Sequence, residues 1–245
     1  MATIVTNVVA VARRPAVWIP AVVLAAATVV FWYTKLDLVV VGRFFSGDFA
    51  VPEGARWPLK AAQPWITLYD WGQLPAWILG IGGLVVWIVS FFWKKLERWR
   101  DPGLFYVLLL MIGPGILVNW VFKPYWNRPR PRATAPFGGQ REFLPVWQRG
   151  LSDGESFPSG HAATGFYLMA PAFVYYRRRP WLAAAFLLLG LTGGSVIGLA
   201  RIVAGDHFPS DILWAGGIVY YSALLLAAPF HFGREKGPTA QAIEA

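Results

Sequence analysis

Four ionisable side chains stand in a short stretch between two long apolar runs: Arg201, Asp206, His207 and Asp211 in ARIVAGDHFPSD, residues 200–211. At a spacing of four residues, Asp211 can accept a hydrogen bond from one imidazole nitrogen of His207 and leave the other as a lone-pair nucleophile. The guanidinium of Arg201 matches phosphate oxygens in a bidentate way. A lone His–Asp pair is usually structural, so this stretch needs support from elsewhere in the chain.

Two further polar clusters supply that support, KPYWNRPRP at 123–131 and FPSGHA at 157–162. Lys123 and Arg130 add two cations. Ser159 and Gly160 form a turn that opens a helix, where backbone N–H groups bind anions and glycine permits close approach. The Ser159 hydroxyl adds a donor, and His161 is the natural general acid for a leaving oxygen. The clusters together supply three cations, a helix N-terminus, a nucleophile and an acid. This set of groups indicates phosphoryl transfer.

Each cluster also has a plainer interpretation. The basic residues of the first one can anchor a membrane helix to lipid headgroups, and PSGH can be an ordinary serine-capped helix start. His161 and His207 are possible metal ligands, but a site rich in cations and short of carboxylates disfavours a divalent metal. The coincidence of place favours catalysis, since two of the three histidines fall in these clusters. His231, the third, is given no role. The basic residues that can instead anchor a membrane helix to lipid headgroups are Lys123, Arg128, Arg130 and Arg132.

The elements that must position these residues are apolar. The chain is 56% hydrophobic and only 14% charged, whereas soluble domains carry about 25% charged residues. Uncharged runs cover 16–34, 71–93, 103–122, 180–200 and 212–230, with a shorter one at 162–176, and about 20 such residues cross a bilayer. We therefore predict an all-α polytopic membrane protein. It has about six transmembrane helices bundled in one domain, 1–236, and a disordered tail at 237–245.

Charge predicts the orientation of this bundle. Basic clusters at 13–14, 94–100, 177–179 and 234–236 all fall on one side of a six-span arrangement, which the positive-inside rule makes cytoplasmic. Both termini are then cytoplasmic, and the three chemical clusters lie at the outer interface. The position of the basic clusters beside the membrane spans explains the net charge of +9, so no nucleic-acid partner is expected. The segment 35–70 is either an interfacial cap or a solvated loop. With no cysteine, disulfides and thiolate metal ligands are excluded.

Taken together, the clusters resemble the signature of the type 2 phosphatidic acid phosphatase superfamily. Its first motif is met by Lys123 with Arg130-Pro131, its second by PSGH at 158–161, and its third by Arg201 with His207 and Asp211. One position departs, because Ala200 replaces the serine that usually precedes the third-motif arginine. A hydroxyl contact to phosphate is therefore expected to be missing.

The resemblance implies hydrolysis of a membrane lipid phosphate or pyrophosphate without metal or other cofactor. His207 would form a phosphohistidine while His161 protonates the leaving group, and the phosphoryl oxygens would be held by Lys123, Arg130, Ser159, Gly160 and Arg201. The expected setting is a bacterial inner membrane with the active site facing the periplasm. Candidate substrates are phosphatidic acid, phosphatidylglycerophosphate, undecaprenyl phosphates and lipid A. The loop after residue 132 resembles those of bacterial lipid A phosphatases, and this resemblance favours lipid A.

Three alternatives use the same residues. A phosphotransferase would pass the phosphate to a second lipid instead of water. A non-catalytic lipid-phosphate binding or transport protein would keep the pocket without turnover, although the presence of both His161 and His207 argues against it. The superfamily's soluble vanadate-dependent haloperoxidases share the pocket but not the apolar spans. The oligomeric state is not readable from the sequence.

Overall fold

The computed structural model describes residues 15–151, 154–230 and 232, and helices dominate this part of the chain, which contains no β-strand. A π-helical segment, Met111–Phe122, directly continues the α-helix Arg100–Leu110 and contains Pro114. Short 3₁₀ turns lie at Glu53–Arg56, Pro58–Ala61, Lys94–Trp99, Pro131–Ala133 and Ala135–Phe137. The α-helices are α1 (Pro15–Tyr33), α2 (Leu36–Gly42), α3 (Trp65–Trp71), α4 (Leu74–Val89), α5 (Arg100–Leu110), α6 (Lys123–Trp126), α7 (Gly160–Tyr167), α8 (Ala170–Tyr175), α9 (Pro180–Val203) and α10 (Pro209–Ala227).

Within the described residues, five helical stretches are long and apolar enough to cross a membrane: Pro15–Tyr33, Trp65–Val89, Lys94–Ala133, Pro180–Val203 and Pro209–Ala227. Large apolar side chains on them point outwards, and Trp18, Ile78 and Leu188 are each about 60% exposed (58%, 63% and 61%). Such surfaces are stable against lipid and costly against water. The prediction of an all-α polytopic membrane protein is confirmed.

The sixth predicted span differs from the other five because it is broken into α7 and α8. Residues 160–175 rise only about 24 Å at 1.5 Å per residue. Almost all of α7 is buried, and it packs against α9 and α10 in the centre of the bundle. Its contact with α9 is close: a Cβ on Gly165 would lie 2.7 Å from the Cα of Gly194. Small residues at such crossings let helix backbones approach each other in membranes.

The ends of the bundle are defined by hydrogen bonds between α1 and α10. The Tyr220 hydroxyl donates to the carbonyl of Ala16 at 2.7 Å, and Trp214 Nε1 donates to Thr28 Oγ1 at 3.0 Å. The two helices are therefore antiparallel. The segments 35–61, 123–159 and 201–211 meet at the end where α1 finishes and α10 begins. The predicted basic clusters at 13–14 and 234–236, His231 and the predicted tail at 237–245 lie outside the described residues.

Candidate active site

His207 lies in the loop between α9 and α10 and is almost fully buried. Its Nδ1 is 2.6 Å from the backbone carbonyl oxygen of Ser156. A carbonyl only accepts hydrogen bonds, so Nδ1 carries the proton and Nε2 keeps the lone pair. Asp211 Oδ2 lies 3.8 Å from Nδ1, beyond hydrogen-bond distance. The expected direct His207–Asp211 hydrogen bond is therefore replaced by one to the Ser156 carbonyl, and Asp211 acts on the ring through its charge.

The surroundings of His207 favour its neutral form. Burial lowers the pKa of its imidazole, the nearby Asp211 carboxylate opposes that effect, and the cations Arg201 and Lys123 add to the lowering. A neutral ring with a free Nε2 is the form that can act as a nucleophile.

Asp211 is fully buried in the first turn of α10 and organises the loop around His207. Its Oδ2 accepts from the Ser156 hydroxyl at 2.6 Å and from the Phe208 backbone N–H at 2.8 Å. Its Oδ1 is 2.5 Å from Nη1 of Arg128. The bond from Phe208 satisfies a backbone donor at the helix start, so Asp211 also caps α10.

Arg201, near the end of α9, presents unused donors to the site. It is only 4% exposed, its guanidinium lies 3.8 Å from the centre of the Tyr69 ring, and Nη2 is 2.6 Å from Asp206 Oδ2. Nε and Nη1 are buried and have no hydrogen-bond partner within the described residues. Buried donors without acceptors cost free energy, and charged N–H donors of this kind are suited to the oxygens of an anion. Ala200 is also buried and brings no hydroxyl here.

His161 lies in the first turn of α7, where its ring centre is 5.9 Å from that of Tyr69. Tyr69 therefore contacts both His161 and Arg201. Arg201, His207 and Lys123 all lie close enough to His161 to interact with it electrostatically, His207 when its ring is protonated. The structure thus places the predicted acid and the predicted nucleophile at one site.

Asp206 pairs with the arginines of the site. It is fully buried, and its Oδ1 lies 2.5 Å from Nη1 of Arg132 and 3.6 Å from Nη1 of Arg130. Arg130 also pairs with Glu155 at 2.8 Å. Burial alone would raise the pKa of the Asp206 carboxyl, but the cations around it, Arg201 first, bring that pKa below its ordinary value.

Half-buried Lys123, at the start of α6, interacts electrostatically with Arg130 and Glu155.

The predicted anion-binding turn forms as a helix start. Ser159 is the N-cap of α7, and its hydroxyl accepts weakly from the Ala162 N–H at 3.4 Å. A Cβ on Gly160 would lie 2.6 Å from Oδ1 of Asn119. Asn119 is fixed by its own bond to the Pro114 carbonyl at 2.7 Å. Gly160 is therefore required by the close approach of the π-helical segment, in addition to any ligand.

Comparison with known proteins identifies the family. The model of the PAP2 superfamily matches residues 103–235, which is more than half of the chain and contains every predicted site residue. The chain belongs to the PAP2 superfamily. Comparison with solved structures found no match.

Relatives of this PAP2 protein include lipid A phosphatases. It is 36% identical over 140 residues to the lipid A 4'-phosphatase of Francisella tularensis subsp. novicida, a match covering 56% of this chain and 62% of that protein. It is 30% identical over 156 residues to the lipid A 4'-phosphatase of Rhizobium etli, covering 54% and 56%. It is 32% identical over 126 residues to the lipid A 1-phosphatase of Rhizobium johnstonii, covering 51% and 47%. The chain thus spans less than two thirds of the length of each of these relatives.

Several residues of the PAP2 site are not apparent from the motifs. Arg128 was a candidate headgroup anchor, and that interpretation is wrong because its side chain is 0% exposed. Asp37 and Ser156 join Arg128 in the buried network behind His207. Tyr69 contacts Arg201 and His161, and Asn119 lies against Gly160. Their sequence signals are slight: Asp37 is an isolated acid in LDLVVV, and Asn119 is an amide within the uncharged run 103–122.

Proposed function

We propose that this PAP2 protein hydrolyses the phosphate ester of a membrane lipid through a phosphohistidine on His207, without a metal. The observation that carries the proposal is the pair of buried donors on Arg201 that find no acceptor among the described residues, close to a histidine whose Nδ1 proton is held by a carbonyl. A phosphoryl group bound to Arg201 satisfies these donors. Phosphoryl transfer depends mainly on such positioning and charge stabilisation.

In the first step, Nε2 of His207 attacks phosphorus, and a nitrogen–phosphorus bond forms as the bond to the lipid oxygen breaks. His161 gives its proton to the leaving oxygen, so the lipid departs as an alcohol. The negative charge that the phosphoryl group brings among the cations favours the protonated form of His161. The His207 ring keeps its Nδ1 proton and becomes positively charged, and the nearby Asp211 carboxylate stabilises that charge.

In the second step, water attacks phosphorus and His161 takes a proton from it. The nitrogen–phosphorus bond breaks, its electron pair returns to Nε2, and inorganic phosphate leaves. The Arg201 donors hold the phosphoryl oxygens through both steps, with Lys123 and Arg130 adding positive charge. Ser159 and Gly160 place the α7 N-terminus at the same group.

We further propose lipid A as the substrate, with the 4'-phosphate as the group removed. The supporting observation is the similarity to relatives named lipid A 4'-phosphatases, one of them 36% identical over 140 residues. A site between membrane helices, at one end of the bundle, suits a lipid whose acyl chains stay in the bilayer.

The test is phosphate release by the purified protein in detergent with EDTA. The substrates are lipid A, phosphatidic acid, phosphatidylglycerophosphate and undecaprenyl pyrophosphate, and His207→Ala is compared with the control His231→Ala. We expect release from lipid A that survives chelation and falls at least about 1,000-fold in His207→Ala. Mass spectrometry of the product identifies which phosphate is lost.

The outcomes separate mechanism from substrate. Activity retained by His207→Ala, or abolished by EDTA, contradicts the mechanism. Rapid hydrolysis of phosphatidic acid with lipid A untouched contradicts the substrate and leaves the mechanism standing. Loss of the 1-phosphate would contradict only the position.

We also propose that the protein lies in a bacterial inner membrane with both termini in the cytoplasm and the site facing the periplasm. The supporting observation is that the basic residues at 94–100 and 177–179 lie in the connections that follow α4 and α8, away from the site. Reporters of sidedness fused at Gly138 and at the C-terminus are expected to report opposite sides. The same side for both would contradict this orientation.

A further inference from the structure

Asp37 is a buried carboxylate that the proposed reaction does not use. It lies on α2, outside the segment matched by the family, and is 1% exposed. Its Oδ2 lies 2.8 Å from Nη2 of Arg128 and accepts from the Ser210 hydroxyl at 2.6 Å, while Oδ1 accepts from the Ser210 backbone N–H at 3.0 Å. All three groups donate to Asp37, which matches the ionised, acceptor-only form of the carboxyl group. Burial raises the pKa of this carboxyl above its ordinary value, and the adjacent charge of Arg128 opposes that effect.

Arg128 extends this contact towards the site. Its fully buried guanidinium lies between Asp37 and Asp211, with Nη1 2.5 Å from Asp211 Oδ1, and its Nε donates to the Leu144 carbonyl at 2.9 Å. A planar guanidinium engaged on three sides cannot turn without leaving a buried group unpaired. The orientation of Arg128 therefore depends on both carboxylates.

Ser156 connects the network to the nucleophile. Its hydroxyl donates to Asp211 Oδ2 at 2.6 Å, and its backbone N–H donates to the Arg128 carbonyl at 2.9 Å. The carbonyl of the same residue accepts from His207 Nδ1 at 2.6 Å. The group that holds the histidine ring is thus held in turn by Asp211 and Arg128.

We propose that Asp37 is a positioning residue for the reaction: it locks Arg128, and through Arg128 it fixes Asp211 and the Ser156 carbonyl that aims His207. Asp37 also balances the charge of Arg128. The charge of Asp211 then remains available to the His207 ring when that ring becomes positive. This inference rests on the proposed function of His207.

The test compares Asp37→Asn with wild type and with Asp48→Asn, a control at an exposed acid on the same connecting segment. The amount of vanadate bound reports how many phosphate sites are intact. The single-turnover rate per intact site is then measured on whichever of the four lipids tested above wild type hydrolyses fastest. We expect vanadate to bind Asp37→Asn with unchanged stoichiometry and the rate per site to fall about 10- to 100-fold, as for a misaimed nucleophile. Asp48→Asn should stay within about twofold of wild type.

A rate per site within twofold of wild type in Asp37→Asn, with His207→Ala inactive, overturns the inference and leaves the proposed function intact. An active His207→Ala overturns both. A loss of vanadate sites in proportion to activity would mean that Asp37 serves the fold alone, and it also overturns the inference. If Asp37→Asn does not fold, Ser210→Ala, which removes one donor to Asp37 without changing charge, is judged by the same criterion.

Discussion

Replacing Arg201 with Ala tests the phosphate site most directly. The variant removes Nε and Nη1, two donors that have no acceptor in the described part of the chain and that the proposed phosphoryl group would use. A hydrogen bond to a charged group contributes about 1.5–3 kcal/mol, so losing two costs about 3–6 kcal/mol. At 1.36 kcal/mol per factor of ten, kcat/KM should fall about 10²- to 10⁴-fold. The fold should survive, because Asp206 keeps Arg132 at 2.5 Å and Arg130 at 3.6 Å.

The assay is steady-state phosphate release, with melting temperature as the check of folding. Arg201→Lys keeps the charge but loses the planar fork, and should lie between Ala and wild type. Arg177→Ala, at an exposed arginine between α8 and α9, is the control and should stay within about twofold. An Arg201→Ala variant within tenfold of wild type would refute the reasoning, since two charge-assisted hydrogen bonds cannot be worth so little.

Two further predictions concern pH and the backbone. Because burial and the neighbouring cations lower the pKa of His207, its neutral form persists below the ordinary value of about 6.5. The acidic limb of kcat/KM, which reports the free enzyme and is measured from pH 4.5 to 8, should therefore fall below 6.5, and a limb centred above 6.5 would contradict the lowered pKa. Gly205→Ala should lower the melting temperature by several degrees. Gly205 has φ of +69°, and a Cβ there would lie 2.3 Å from Trp57 Cε2.

The membrane class follows from the sequence because a bilayer requires long apolar helices, and uncharged runs of about 20 residues are a local signal. The sixth span was predicted as one helix and is in fact α7 followed by α8. Many of its residues are small, and nearly all of α7 is buried inside the bundle, where neighbouring helices instead of lipid surround it. A hydropathy pattern reports how apolar a segment is, and it does not distinguish lipid contact from helix contact.

The candidate site could be predicted from the sequence where spacing within one motif carried the information. The histidines and the arginines of the motifs were singled out because their proposed roles require fixed residue types. The Asp37–Arg128 pair was missed because 91 residues separate the partners, and no local pattern joins an acid on α2 to a basic residue after α6. The hydrogen bond from His207 to a backbone carbonyl was missed for a related reason. Every residue has a carbonyl, so the residue type of Ser156 carries no signal of it.

The charges of the site explain why carboxylates lie among the cations of the proposed phosphate site. Four cations surround the proposed phosphoryl position and would repel one another if left uncompensated. Two carboxylates, the buried Asp206 and the exposed Glu155, lie among them and leave the group net positive. A positive region suits a phosphate monoester, whose own charge near pH 7 is close to two negative. Behind His207, two carboxylates and one guanidinium leave one negative charge. The nucleophile thus lies between a positive region that binds the phosphoryl group and a negative one that stabilises the ring once it carries that group. The cations are Lys123, Arg130, Arg132 and Arg201 with the carboxylates Asp206 and Glu155, and the negative region consists of Asp37, Arg128 and Asp211.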